Sequence, residues 1–168
     1  MAQRESNRPR SNPWFWPMVA LALALALALA GCSRQPSPET EIRDLIARAV
    51  AAAEERNVRD LRGMIADDYT DRRGLDRKAL ENVLRLQVLR QQFLHLFARV
   101  RKIEFPEPER ALASVATAMA GRPVEDAGAL VNLNADLYRF ELELVRHGRN
   151  DWRVRSADWE PARLDDFW

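Results

Sequence analysis

The sequence predicts an α+β domain in which three helices come first and a curved four-stranded antiparallel sheet follows. Two observations carry this. Apolar residues recur every three or four positions up to about Arg90, then alternate one by one from Leu94 onward. In addition, the last two alternating runs, Ala135 to Arg146 and Trp152 to Trp159, carry opposite charges on their polar faces, as the strands of one hairpin do.

The elements follow in order. Ser37 suits an N-cap, Pro38 the first helical position, and Glu39 and Glu41 the positive end of the helix dipole. Ile42, Leu45, Ile46, Ala49 and Ala53 then form one apolar stripe. A second, shorter helix begins at Asn57 or Arg59 and carries Leu61, Met64 and Ile65, ending in Asp67-Asp68-Tyr69-Thr70-Asp71. After a break at Gly74, Asp76 caps a third helix with Leu80, Val83 and Leu84 that runs to about Arg90.

In the first strand Leu94, Leu96, Ala98 and Val100 alternate with His95, Phe97, Arg99 and Arg101, and the run continues to Phe105. Pro106-Glu107-Pro108 turns the chain into a second strand from about Arg110 to Ala120, whose many alanines call for a bulky neighbour. Gly121 to Asn134 is a long connection, either a lid or a partner-binding loop. In the third strand Tyr138, Phe140, Leu142 and Leu144 share a face, and the turn His147 to Asp151 leads into the fourth. Setting Leu144 opposite Trp152 places Glu143 against Arg153 and Glu141 against Arg155, and puts Tyr138, Ser156 and Asp158 on the apolar face.

Upstream of the domain, Arg4, Arg8 and Arg10 precede an apolar stretch from Trp14 to Ala30, the order of a secretory signal. Leu29-Ala30-Gly31-Cys32, which holds the only cysteine of the chain, resembles the lipobox of bacterial lipoproteins. That resemblance implies cleavage before Cys32, diacylglycerol on its thiol and an acylated amino terminus. The expected division is a signal peptide over 1–31, a lipidated cysteine and linker over 32–38, and a domain over 39–168. Ser33 in place of aspartate implies onward transport to the outer membrane in a host with two membranes. Two other readings stand beside it: an uncleaved span, for which the Pro17-interrupted stretch is at the short limit, and ordinary cleavage at Ala28-Leu29-Ala30. A single cysteine rules out an internal disulfide.

Without its first 31 residues the 168-residue chain has the length of one domain. Its 26 basic and 25 acidic residues nearly cancel, which leaves no electrostatic footprint for nucleic acid. Only Lys78 and Lys102 are lysines, so the positive charge is almost all arginine. No glycine-rich phosphate loop, paired-cysteine spacing or His-x-x-x-His pattern is present, and neither a cofactor nor a metal is expected.

Three helices before a four-stranded meander, with Asp67-Asp68-Tyr69-Thr70-Asp71 after the second helix and Asp151-Trp152-Arg153-Val154-Arg155-Ser156-Ala157-Asp158-Trp159 at the end, resemble the nuclear transport factor 2-like superfamily. The resemblance covers about Glu39 to Pro161. It implies a sheet wrapped around a long helix as a cone with a pocket at its open end. Such cones serve isomerases, dehydratases, cyclases and noncatalytic binding proteins, so fold does not supply function. Tyr69, His95, Tyr138, Ser156 and Asp158 are the pocket candidates. In an isomerase or dehydratase Asp158 would be the base and Tyr138 the donor, since desolvation raises a carboxyl pKa toward the working range. The competing expectation is a structural hydrogen bond within a noncatalytic domain that binds a small apolar ligand, an envelope protein or a second copy of itself. Asp67, Asp68 and Asp71 beside Arg72 and Arg73 read as surface ion pairs, His147 as solvent-exposed, and of Trp152 and Trp159 one as core and one as an edge or outward residue.

Overall fold

The computed structural model describes residues 36–90, 95–149 and 151–168; the leader, Cys32 and Ser33 lie outside the described residues. Helix α1 spans Pro38–Glu54, α2 Val58–Gly63 and α3 Arg77–Arg90. Each opens on a side-chain cap: Ser37 Oγ accepts from the Thr40 N–H (3.2 Å), Asn57 Oδ1 from Asp60 (3.2 Å) and Asp76 Oδ1 from Ala79 (2.7 Å). Such caps satisfy backbone donors that the first helical turn leaves unpaired.

Strands β1 (His95–Glu107), β2 (Arg110–Ala120), β3 (Ala135–Arg146) and β4 (Trp152–Pro161) form one antiparallel sheet in chain order. The architecture is thus α+β, with three α-helices and a four-stranded antiparallel sheet among the described residues. Strand β1 runs through Pro106 to Glu107, beyond the end expected at Phe105. Proline is tolerated there because the ladder shifts between Glu104 and Glu107 and β1 is an edge strand with only β2 as a neighbour. Leu94, the expected first residue of this strand, lies outside the described residues.

The helix side of the sheet holds the main core. Ile42, Leu45 and Ile46 of α1 pack on Ala111, Ala113, Val115, Leu144 and Trp152. The small strand residues let the helix approach closely, and the apolar area removed from water here drives folding. Strand β2 is buried on its other face too. There Ala116 and Ala118 lie beneath Leu130 and Phe167, and Phe97 stacks on Phe167 with 6.2 Å between centroids. The bulky neighbour demanded by the alanines is therefore α1 on one side and a residue one place from the C-terminus on the other.

Two 3₁₀ turns bring that outer cover into place, Gly128–Asn132 and Leu164–Phe167. The first closes the connection between β2 and β3, so Ala127 and Leu130 sit against the outer face of the sheet rather than over its helix side. Asp166 fixes the second: its carboxylate accepts from the Arg163 N–H (2.8 Å) and from Arg139 (3.2 Å), which together hold it below the usual carboxylate range.

Candidate functional site

The register of β4 decides which residues can meet. Arg146 stands opposite Trp152 and Leu144 opposite Val154, two residues away from the expected pairing of Leu144 with Trp152. A shift of two preserves faces, so Trp152 still points into the core. Beyond Val154 the ladder slips by one more residue, and Glu143 now faces Ser156, Glu141 faces Asp158, and Leu142 faces Ala157. One extra residue in a strand reverses every side chain after it.

The expected site is therefore not assembled. Tyr138 is on the helix side with Phe140 and Leu142, whereas Ser156 and Asp158 share the outer face with Glu143 and Glu141. Asp158 pairs with Arg72 at 3.0 Å. His95 belongs by register to the face of Phe97 and Ala118, opposite Tyr138, with Nδ1 3.9 Å from Glu54 Oε1. Of the expected cross-strand ion pairs, neither forms as drawn. Arg153 turns to Asp151 (2.9 Å), while Arg155 pairs with Asp68 (3.3 Å) and reaches Glu143 at 3.9 Å.

The bulge coincides with a segment from far earlier in the chain that pairs with the edge of β4. Val154 and Arg155 both present their carbonyls to the outer edge of β4, where they accept from the N–H groups of Ala66 (2.9 Å) and Thr70 (3.0 Å). Farther along, Arg73 donates to the Trp159 carbonyl (2.7 Å) and lays its guanidinium 3.6 Å from the Trp159 ring centroid. The segment after α2 is thus a strap along the edge of the sheet. Tyr69 is its buried peg, packed against Ile65, Leu80, Val154 and Ala157. Its hydroxyl lies 3.5 Å from Asp71 Oδ2 and from the Ala157 carbonyl, and burial, then the Asp71 charge, push its pKa up to about 12. Asp71 in turn accepts from the backbone of Arg73 and Leu75, both at 2.9 Å. With Asp67 held by Arg77 and Asp68 by Arg155, the three aspartates form separate structural contacts.

Along the helix side, burial changes with position. At the hairpin end, where the β1–β2 and β3–β4 turns lie, α1 covers the sheet and Ala111, Ala113, Leu144 and Trp152 are buried. At the far end Leu96, Thr117, Met119, Tyr138, Phe140 and Trp159 are each only half-buried. Three of these make an aromatic row, with Tyr138 to Phe140 centroids 6.5 Å apart and Phe140 to Trp159 6.3 Å. The row is a surface of apolar rings backed by a closed core. It offers dispersion and stacking contacts, and among the described residues the Arg73 guanidinium rests on its Trp159 ring.

Sequence reasoning missed a further cluster. Glu41, whose side chain is only 9% exposed, accepts from Trp152 Nε1 (2.9 Å) and from Arg146 (3.0 Å), while the Arg146 guanidinium lies 4.8 Å from the Trp152 ring centroid. It joins the first turn of α1 to the β3–β4 hairpin. Nothing local announces it, because the partners are more than a hundred residues apart. An open groove of about 520 Å³ lies nearby between α1 and α2, where Arg48, Glu55, Arg59, Asp60 and Asp151 mix both signs of charge. It has no converging chemistry.

No protein-family model matches the chain, and no curated protein does. Solved structures do. A domain of unknown function with a cystatin-like fold from Nostoc punctiforme is 14% identical and superposes with a TM-score of 0.57, over 79% of this chain and 86% of that one. An NTF2-like protein from Cytophaga hutchinsonii is 12% identical with a TM-score of 0.50, over 72% and 95%. The hexachlorocyclohexane dehydrochlorinase LinA-type3 from Novosphingobium barchaimii is 14% identical with a TM-score of 0.56, over 74% and 86%. At such identities the likeness establishes the fold, which is nuclear transport factor 2-like, and leaves function to the residues.

Proposed function

We propose that the chain is a lipid-anchored protein of a bacterial envelope whose nuclear transport factor 2-like domain is a noncatalytic receptor for a small apolar molecule. The observation that carries the receptor half is the burial gradient along the helix side: a filled hairpin end, and a far end lined by the half-buried row Tyr138, Phe140 and Trp159. Half-buried aromatic rings offer a small apolar molecule dispersion and stacking contacts. The anchor half is supported by Leu29-Ala30-Gly31-Cys32 after a basic and then apolar leader. Several acyl chains, each contributing roughly 0.8 kcal/mol per buried CH₂, hold a protein to a bilayer without a spanning helix. With Ser33 after the cysteine, the periplasmic face of the outer membrane is the proposed destination in a host with two membranes.

An isomerase or dehydratase reading rests on a carboxylate and a phenol acting on one substrate. Here that carboxylate, Asp158, is on the face opposite Tyr138 and is paired with Arg72. Binding through an envelope protein or a second copy would use the outer face of the sheet, part of which the chain covers with its own Leu130 and Phe167. The apolar ligand is accordingly preferred.

Two measurements test the halves separately. Intact mass of the membrane-extracted protein should show a chain beginning at Cys32 with added acyl mass, absent in Cys32→Ala; an unmodified chain cut after Ala30 refutes the anchor. Organic extraction of the purified protein followed by mass spectrometry should release a small apolar molecule. Its amount should fall several-fold in Tyr138→Ser and in Thr117→Trp, which fills the site, at unchanged thermal stability. Equal recovery from all three refutes the site.

A further inference from the structure

With an anchor at Cys32, the short tether limits which end of the domain can meet the bilayer. Residues Cys32 to Ser37 span at most about 20 Å when extended, so α1 must begin close to the anchor. The position of that beginning is set by contacts. Glu41, in the first turn of α1, bonds to Trp152 and Arg146; Trp152 meets Phe105 with ring centroids 6.0 Å apart; and the Arg146 N–H donates to the Glu109 carbonyl in the β1–β2 turn (2.9 Å). The start of α1 and both hairpin turns therefore lie at one end of the sheet. At the other end of α1, Glu54 accepts from the Leu96 N–H (2.8 Å) at the beginning of β1. Seventeen helical residues at about 1.5 Å each separate the two ends by about 25 Å.

The hairpin end also carries apolar surface that the fold leaves uncovered. Phe105 is 40% exposed and Leu112 37%, and with exposed Pro106 and Glu104 they line a notch beside the β1–β2 turn. An aromatic ring partly free of the core is suited to the headgroup and acyl boundary, where its burial is favourable. The neighbouring charges are largely paired with one another, Lys102 with Glu104 at 2.8 Å and Arg110 with Glu143 at 2.8 Å. The uncharged part of this surface, Phe105, Pro106 and Leu112, is apolar.

Resting on the anchor reading, we infer that the hairpin end docks on the lipid surface through Phe105, Pro106 and Leu112. The aromatic row Tyr138–Phe140–Trp159 then stands about a helix length away and faces the aqueous compartment. A ligand on the row would arrive from water or from a partner across the gap, not by lateral diffusion out of the membrane to which the protein is tied.

The test uses the acylated protein in vesicles of phosphatidylethanolamine and phosphatidylglycerol. Acylation consumes the only native thiol, so a new cysteine can be labelled alone. Glu107→Cys and Glu109→Cys, at exposed residues beside the docking side chains, report the hairpin end, and Val131→Cys, at a residue 60% exposed in the connection beyond β2, reports the far end. Each carries an environment-sensitive fluorophore, and the bilayer carries a lipid-phase nitroxide quencher. Quenching should be several-fold stronger at 107 and 109 than at 131, with unchanged thermal unfolding of all three. Equal or reversed quenching in protein whose mass shows the acyl chains overturns the orientation and leaves the anchor standing. A mass without acyl chains, with vesicles binding none of the variants, overturns the anchor and the orientation resting on it.

Discussion

Replacing Phe167 by alanine should destabilise the protein far more than its place, one residue from the C-terminus, suggests. The ring is 0% exposed and closes the outer face of the sheet over Ala116, Ala118 and Leu137 while stacking on Phe97. Two limits bound the cost. If the tail stays docked, truncation leaves a cavity, and Phe→Ala changes of that kind cost about 3–5 kcal/mol. If the tail peels away, the loss tends toward the transfer free energy of one large apolar side chain, about 1.5–3 kcal/mol. Between these limits the expectation is about 2–4 kcal/mol. For a domain of this size that lowers Tm by roughly 10 °C. Urea unfolding followed by tryptophan fluorescence should show a lower midpoint at unchanged slope. A double-mutant cycle with Phe97→Leu should return a coupling of about 0.5–1.5 kcal/mol for the ring pair. Trp168→Ala, at an exposed neighbour, should stay within about 0.5 kcal/mol of wild type. A Phe167→Ala change as small as that would refute the claim that this residue is the second cover of β2.

Other consequences follow from the same contacts. Glu41→Ala strands Trp152 Nε1 and Arg146 without their shared acceptor and should cost about 2–3 kcal/mol in urea unfolding, whereas Glu41→Gln keeps an acceptor oxygen and should cost less than half as much. Tyr69, pushed up to about 12 mainly by burial, favours the fold while its phenol is neutral. That contribution is whole below the unfolded value near 10 and disappears as pH rises from about 10 to 12. Alkaline unfolding should therefore begin above about pH 10 in wild type, and in Tyr69→Phe the pH dependence over that window should flatten. Asp158→Asn removes only the pair with the highly exposed Arg72, so stability should change by less than about 1 kcal/mol. Recovery of the apolar molecule should be unaltered by that substitution, and a large loss would return Asp158 to the site.

The helices were legible in the sequence because their determinants are local. Ser37, Asn57 and Asp76 each sit within three residues of the N–H they cap, and the stripe Ile42, Leu45 and Ile46 is visible as spacing alone. The strands were legible as alternation, and the alanines of β2 announced tight cover before its source could be named. The proposed catalytic pair failed for one reason. Strict alternation through Arg155 would place Ser156 and Asp158 on the apolar face, and a single inserted residue there reverses both. No local pattern signals that insertion, because it is imposed by a segment some ninety residues earlier in the chain. The Glu41, Arg146 and Trp152 cluster was hidden in the same way, its glutamate fully accounted for by helix-dipole reasoning.

Bulge and strap explain one another. An edge strand with free carbonyls invites pairing with other chains, and proteins blunt such edges by covering or bending them. On β4, the carbonyls of Val154, Arg155 and Trp159 all receive donors from residues 66–73, which requires the extra residue at the bulge to turn two successive carbonyls outward. On β1, the other edge, Arg99, Arg101 and Lys102 are exposed and Pro106 interrupts the ladder. One edge is closed by hydrogen bonds and the other is guarded by charge. The same strap then reaches the aromatic row, since the arginine that closes the Trp159 carbonyl also lies on the Trp159 ring. Edge protection and the shape of the proposed ligand surface therefore rest on one segment. The carboxylate that would have made the surface catalytic is on the opposite face for the same structural reason.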